Sequence, residues 1–533
     1  MTPVPGHEEG MFAPRAFGGV DWLVMVAYGV ALLAIGFIYS RRQHTTEEYF
    51  VAGRNKRPFL AGISIFASVF TLISYLGTPG EWVQHGPVVA CCNLLSVPLI
   101  YFIVGWLLIP VIMRLPITSA YELLEGRLSR SVRSLGSATF VGVRVIWMAL
   151  ILHTTAAVLV NMIGCDPKWV TAFKVAAGLV ATVTALAGGI DAVIIVSVVG
   201  LFVLLVGAGL TVVSISIRLG GVAEWWPRHW DSHWAREPFF SADPHVRITM
   251  VGACIYFMIG QLSLAGSDQI SIQRYLTTRD AATARRAYGH SCIAMAVTFT
   301  LMGLVGASIL GFFRLHPGSL PPGVTVAKNG DACYPYYMSH YLPPGISGLV
   351  VAGVVAAAMS GLSSAINSVI TVVFKDFIDT RQGAGGRSEG AKVRLARFLA
   401  LGIGLIALLG SLSIGKVGGD LVEVTGKTVN LLTYPMFGMF FLAMFVRYAT
   451  PFGAIVAALY SIAGEILIGY WDVLTGRPRL SFQWMAPSAL AISIAAGCFF
   501  SLWPTRGRPR AMVAVYAAAA VIPLLAAIGW LLR

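Results

Sequence analysis

Charge is what this sequence has least of. Asp, Glu, Lys and Arg make up 12% of its 533 residues and hydrophobic residues 57%, whereas charged residues approach about a quarter of a soluble domain. A water-soluble core cannot hide that much apolar surface, so most of the chain must sit in lipid. The seven cysteines show no ligand spacing: Cys91 and Cys92 are adjacent and the others are scattered, which excludes a zinc module. No Asn-x-Ser/Thr sequon with a permitted middle residue occurs, which favours a prokaryotic plasma membrane. No His, Asp or Glu cluster with catalytic spacing falls within the apolar stretches, which argues against an enzyme. Low-complexity sequence is confined to "RQGAGGRSEGAK" at 381–392, read as a flexible cytoplasmic linker. No polar stretch is long enough to fold as a separate domain. The first apolar run, "DWLVMVAYGVALLAIGFIYS", is as long as a full span and lacks a preceding basic region and a following cleavage site. It is expected to stay as a helix.

What the chain has is apolar runs. About 20 apolar residues span a bilayer, and fourteen stretches meet that test, beginning near 20, 59, 86, 138, 168, 191, 247, 289, 343, 394, 425, 451, 485 and 511. Charge then sets orientation. With the N-terminus outside, the loops 41–58, 114–134, 187–191, 268–288, 374–397, 447–450 and 503–510 face the cytoplasm and hold 23 of the 38 Lys and Arg residues. The opposite side holds 13, and Arg144 and Lys174 lie within spans. That bias supports N-terminus outside. It also accounts for the net charge of +14 as a basic surface facing anionic lipid, with no nucleic-acid partner. The outer loops at 219–246 and 315–342 carry Trp225, Trp226, Trp230 and Trp234 and then a Pro, Gly and Tyr cluster, suited to the membrane interface. Cys165 and Cys333 both fall in outer loops and are expected to stay unpaired.

Polar residues inside spans are expensive and therefore informative. The stretch "AAAMSGLSSAINS", 356–368, places Ser360, Ser363, Ser364 and Asn367 three and four residues apart, on one helix face. Close packing by small residues, each hydroxyl bonded back to its own helix, is the plain alternative; an oxygen-lined site for a hard cation such as sodium is the other. A second helix must supply the remaining oxygens. The span 59–84 has Ser68, Thr71 and Ser74 at its centre, then Gly77, Pro79 and Gly80, which predict a broken helix with free carbonyls. The span 247–266 likewise has Gly260 and Gly266 beside Gln261 and Ser263. Two interrupted helices, each opening a group of five spans, fit an inverted-repeat transporter with a midplane site.

Six blocks carry a resemblance across about 20–450: "TTEEYFVAGR" at 45–54, "LGTPGEW" at 76–82, "ITSAYELLEGRLSRSVR" at 117–133, "GGIDAV" at 188–193, "SDQISIQRYLTT" at 267–278, and "AAAMSGLSSAINS". In these the chain resembles the sodium:solute symporter family, carriers of sugars, proline, sialic acid, vitamins and iodide. The resemblance implies an all-α membrane protein with a LeuT-type 5+5 core. Residues 1–58 precede it, 59–218 form the first repeat, 219–246 an outer loop, 247–447 the second repeat, and 448–533 three peripheral helices. It also implies a sodium site from the main-chain carbonyls of Ala67, Phe70 and Ala357 and the hydroxyl of Ser360. The second hydroxyl of the family falls at Gly361, so one ligand is missing. The acidic residue that many members carry after "GGIDAV" is replaced by Val196 and Ser197. Ser363 and Ser364 keep auxiliary hydroxyls, and one sodium ion at most is expected.

The solute is less legible. Val69 and Gly426 stand where sugar carriers place polar contacts, against glucose-like recognition. Candidate lining residues are Thr71, Ser74, His153, Tyr256, Gln261 and Asn430. For His153 a hydrogen-bonded histidine between helices is an equal reading, and Arg144 is expected to bind a backbone carbonyl or snorkel rather than meet an anion. Asp268, Gln269, Gln273 and Arg274, with Gly77, Pro79 and Gly80, read as gating and structural elements. The chain therefore reads as a sodium-coupled symporter of a small polar solute working by alternating access, a monomer or weak homo-oligomer in a prokaryotic inner membrane. A proton-coupled or uncoupled carrier is the alternative within transport, and a transporter-like sensor the alternative outside it.

Overall fold

In the computed structural model of the chain, the residues described are 17–40, 45–115, 117–379, 388–414, 421–505 and 508–531. The start of the expected linker at 381–392 lies outside them. Among the described residues there is no strand. In chain order the long helices are α1 (Gly19–Tyr39), α2 (Pro58–Val69 and Leu72–His85, bent by 70°), α3 (Val88–Ile112), α4 (Arg130–Ile163), α5 (Pro167–Leu186), α6 (Gly189–Leu219), α7 (Met250–Ser267), α8 (Ala281–Leu315), α9 (Ile346–Ile378) and α10 (Glu389–Ile414). Then follow α11 (Leu421–Phe445), α12 (Pro451–Gly469), α13 (Phe482–Ser501) and α14 (Arg510–Leu531). Among the described residues eleven helices are long and apolar enough to cross a membrane, twelve with the bent pair. Each lies at an expected position.

Local sequence sets the boundaries. Ser129 and Asp280 cap α4 and α8 by accepting from the amides of Val132 (3.3 Å) and Thr283 (2.7 Å), the role these side chains play at helix starts. Gly189, at φ 52° and ψ −153°, separates α5 from α6 with a backbone that side-chain-bearing residues avoid. α4 has 34 residues, about 51 Å at 1.5 Å per residue, so it outruns a hydrocarbon core of about 30 Å. Leu23, Phe37, Ile217, Phe398 and Leu409 are exposed on the outside, as lipid-facing positions must be. The interior is polar in one stripe: Ser360, Ser363, Ser364, Asn367, Ser368 and Thr371 of α9 are all buried. α9 packs against α6, α1, α4 and the first half of α2.

The helix interruptions fall elsewhere than the glycines and proline predict. α2 breaks at Phe70 and Thr71, while Gly77, Pro79 and Gly80 lie inside its second half. Pro79 removes one helical donor without stopping the helix, and Gly80 serves close packing: a Cβ there would lie 2.0 Å from Asp331 of the short helix Gly330–His340. α7 runs unbroken through Gly260 and Gly266 to Ser267, and the break comes at Asp268. Gly266 instead admits the Phe437 ring of α11, 2.5 Å from its would-be Cβ. Capping chemistry, Thr71 and Asp268, locates both breaks better than glycine does.

Candidate functional site

The site is assembled where α2 breaks against α9. Because Phe70 and Thr71 are extended (ψ 111° and 168°), the carbonyls ending the first half of α2 have no following helical donors. The Phe70 amide still closes on the Phe66 carbonyl at 2.9 Å, and Thr71 restarts the helix by accepting from the Ser74 amide at 3.4 Å. The end of the first half carries the negative end of a helix dipole, which favours a cation.

α9 meets that end through hydroxyls. Ser360 donates to the Ala67 carbonyl at 2.9 Å and lies 2.8 Å from the Ser197 hydroxyl of α6. Ser364 donates to Ser68 Oγ at 2.9 Å, and Ser68 donates to the Ser64 carbonyl at 2.7 Å, 3.3 Å from Ser197 Oγ. Ala67, Phe70 and Ala357 are buried beside them. The donors are neutral oxygens, the kind a hard monovalent cation takes. Ser363 turns away and donates to Met359 of its own helix at 2.7 Å. Among the described residues, no group of three or more His, Cys, Asp or Glu side chains is placed to hold a metal.

Gly361 has a steric cause. A Cβ there would lie 3.0 Å from the Trp147 ring of α4, so the ring stands where a second hydroxyl would be carried. Trp147 is itself held by Arg144, whose guanidinium carbon is 5.1 Å from the Trp147 ring and 5.7 Å from that of Phe140. Arg144 forms an ion pair with Asp268; it neither snorkels nor rests on a carbonyl.

The segment after the α7 break ties the site to its surroundings. Asp268 caps it by accepting from the Ile270 amide at 2.9 Å. Gln269 accepts from the Ala120 amide (2.6 Å) and donates to the Thr118 carbonyl (3.0 Å). Gln273 Nε2 reaches the Phe50 carbonyl, Asn367 Oδ1 and Thr371 Oγ1 at 2.7, 2.9 and 3.0 Å, and Ser368 donates to its Oε1 at 2.9 Å. Arg274 is fully buried and donates to Ser64 Oγ (3.0 Å), Ser364 Oγ (2.8 Å) and the Ile270 carbonyl (2.6 Å). Among the described residues no carboxylate pairs with it.

Of the solute candidates, Thr71 and Ser74 sit at the α2 break, and Gln261 lines a narrow crevice with Phe66, Val69 and Ser291 that leaves room for little more than a water molecule. Tyr256 packs edge-on against Phe482 and in the apolar cluster that holds Tyr434, on the side of α11 and α13. His153 is placed beside Lys174, whose ammonium donates to the Ser411 carbonyl at 2.8 Å. Asn430 belongs to α11, but its side chain is outside the described ones. Cys165 and Cys333 are free thiols. Ser64 and Trp147 carry part of the site and were not singled out by sequence. Ser64 shows one signal, its four-residue spacing from Ser68, which mirrors Ser360 and Ser364.

A broken helix whose free end is stitched by hydroxyls to a neighbouring helix is the construction of an ion-coupled secondary transporter, and comparison with known proteins agrees. The sodium:solute symporter family model matches residues 49–461. The chain belongs to the sodium:solute symporter family. Among similar proteins, the sodium-dependent multivitamin transporter of Oryctolagus cuniculus is 29% identical over 512 residues, covering 94% of this chain and 76% of its own. The sodium/sialic acid symporter of Proteus mirabilis is 26% identical over 469 residues, covering 85% and 90%. Human sodium-coupled monocarboxylate transporter 1 is 25% identical over 475 residues, covering 86% and 75%. A solved sodium-coupled sialic acid symporter in a substrate-bound outward-open state superimposes with a TM-score of 0.78 at 24% identity, covering 91% of this chain and 98% of the other. Mhp1, a nucleobase-cation-symport-1 transporter, gives 0.50 at 14% identity, with 85% and 94% covered. The fold is therefore LeuT-like, and the chain is a membrane transporter rather than an enzyme.

Proposed function

We propose that the protein moves one small polar organic solute together with one sodium ion by alternating access. The observation that carries this reading is the Ser360 hydroxyl, 2.9 Å from the Ala67 carbonyl at the broken end of α2. Ala67, Phe70, Ala357 and Ser360 are the proposed ligands, with Gly361 contributing no side-chain oxygen. One ion rather than two is supported by the commitments of the auxiliary hydroxyls, Ser363 to Met359 and Ser364 to Arg274. The buried Arg274 charge beside them also opposes a second cation. Residues 59–218 and 247–447 are the proposed repeats, with residues 1–58 before them, 448–533 after, and the N-terminus outside a prokaryotic inner membrane. The protein works as a monomer or weak homo-oligomer.

Thr71, Ser74 and Gln261 offer neutral hydrogen-bonding groups near the break, which suits a hydroxyl- or amide-bearing solute, and sialic acids and monocarboxylates are the first to try. One charge moving down about 100 mV yields roughly 2.3 kcal/mol, and a tenfold sodium gradient adds about 1.4 kcal/mol. Together they drive accumulation of a neutral solute on the order of several hundred-fold, whereas a monoanion such as a sialic acid or a monocarboxylate crosses electroneutrally with one sodium ion and draws on the sodium gradient alone, for roughly tenfold. Proteoliposomes loaded with potassium and given an inward sodium gradient should accumulate such a solute. Accumulation that survives replacement of sodium by choline would refute the coupling.

A further inference from the structure

Glu465 stands apart from everything above. It lies on α12, four residues from its end at Gly469, is fully buried, and among the described residues neither carboxyl oxygen has a hydrogen-bond partner. An ionised carboxylate in such a place has lost water and gained nothing, whereas the neutral acid loses far less. An intramembrane carboxyl of this kind points to a function.

Its surroundings show what it can bind. Beside it lie the buried Tyr434 of α11 and the wall of α13, where Ala486 and Ala489 are fully buried. Ser461, one turn away on α12, is spent on the Ala489 carbonyl at 2.9 Å. Among the described side chains of α11, Tyr434 is the titratable group beside it, and Tyr256 of α7 packs in the same apolar cluster as Tyr434. From the short helix Trp471–Thr475, Asp472 pairs with Arg479 at 2.7 Å, and from α4, which also touches α12, Arg133 pairs with Asp376 and Glu125. The described side chains of α14, Met512–Pro523, include Tyr516, which packs on Trp503. None of these is a ligand set for a metal cation, which needs several oxygens. A proton needs one.

We propose that Glu465 is a proton-binding site: its carboxylate takes a proton from water to become the neutral acid that the α11, α12 and α13 interface accepts. Release of that proton leaves a bare charge in the interface and loosens it. The phenol of Tyr434, which a Cβ on Gly260 would approach to 3.8 Å, connects this acid to α7 beside Gln261. The proton is thereby an ion that the carrier binds in addition to sodium, at a separate place.

Detergent-purified wild type and Glu465→Gln, in which the amide imitates the neutral acid, are compared by thermal unfolding from mildly acid to alkaline pH at fixed sodium. Both should melt alike in acid, and wild type should fall several degrees below the variant as pH rises. A difference that stays constant across pH overturns the proposal. Should the variant fail to fold, infrared spectra of wild type decide: loss of a protonated-carboxyl band as pH rises supports the site, and an unchanged spectrum overturns it. Sodium added to Glu465→Gln should still raise its melting temperature, so a failure here is distinguishable from a failure of the sodium site.

Discussion

Replacing Ser360 by Ala removes one hydroxyl from the α2–α9 contact and nothing else. That hydroxyl donates to Ala67 and meets Ser197, and as the proposed sodium ligand it offers an oxygen to a full positive charge. A hydrogen bond or ligand contact to a charged group is worth about 1.5–3 kcal/mol, so sodium affinity should fall roughly 10- to 150-fold by the rule that 1.4 kcal/mol is a factor of ten. The folded protein without sodium should lose about 1 kcal/mol for the neutral bonds. The assay is thermal unfolding of detergent-purified protein across a sodium titration, with choline holding ionic strength constant. A ligand that binds only the folded state raises stability with concentration, so the midpoint of that rise reads affinity. Ser363→Ala is the internal control, since its hydroxyl is bonded to its own helix, and its midpoint should match wild type. A wild-type midpoint in Ser360→Ala would refute the assignment of Ser360 as a ligand. A rise reproduced by choline or potassium would refute a sodium site altogether.

Gly361→Ser should destabilise by about 1–3 kcal/mol from overpacking against Trp147, and pairing it with Trp147→Leu should recover the loss and tighten sodium binding, measured by the same titration. Arg144→Met should cost about 3–5 kcal/mol because it strands the buried Asp268, with Arg144→Met/Asp268→Asn recovering most of it in urea or thermal unfolding. Asp280→Ala should cost about 1 kcal/mol as a lost helix cap. The Asp280 carboxyl is held below its usual range by the Thr283 amide and hydroxyl, with Arg279 adding a smaller pull. Its contribution is therefore present above the unfolded carboxylate range and lost as pH falls through the lower folded value, and the wild-type and variant curves should converge in acid.

The order of helices was readable because lipid imposes length and apolarity on each span. The α9 stripe was readable because hydroxyls repeating at three and four residues are costly in oil unless they meet something. The breaks were not readable from glycine and proline: in α2 and α7 these residues serve close approach of neighbours, Asp331 to Gly80 and Phe437 to Gly266. Caps at Thr71 and Asp268 mark the true ends, and a lone Thr or Asp in a chain of this length gives a weak signal. Ser64, Ser68 and Ser197 meet Ser360 and Ser364 only through tertiary packing, so their convergence could not be seen in one dimension. Trp147 is an ordinary apolar residue until its ring is found against Gly361.

The guanidinium of Arg274, joined through Ser364 and Ser68 to the proposed sodium end of α2, bears on how quickly a cycle can turn. A carrier that gripped its ion would stall, because each passage ends with letting go. Entry must be favourable, but departure must stay easy, and differences in affinity among related sites arise mostly in the rate of leaving. In the proposed site, a fixed positive charge behind a ligand-poor cradle should shorten the time an ion lingers. The sparse donor set is then a setting for speed, and adding the absent hydroxyl would buy tighter binding with slower release.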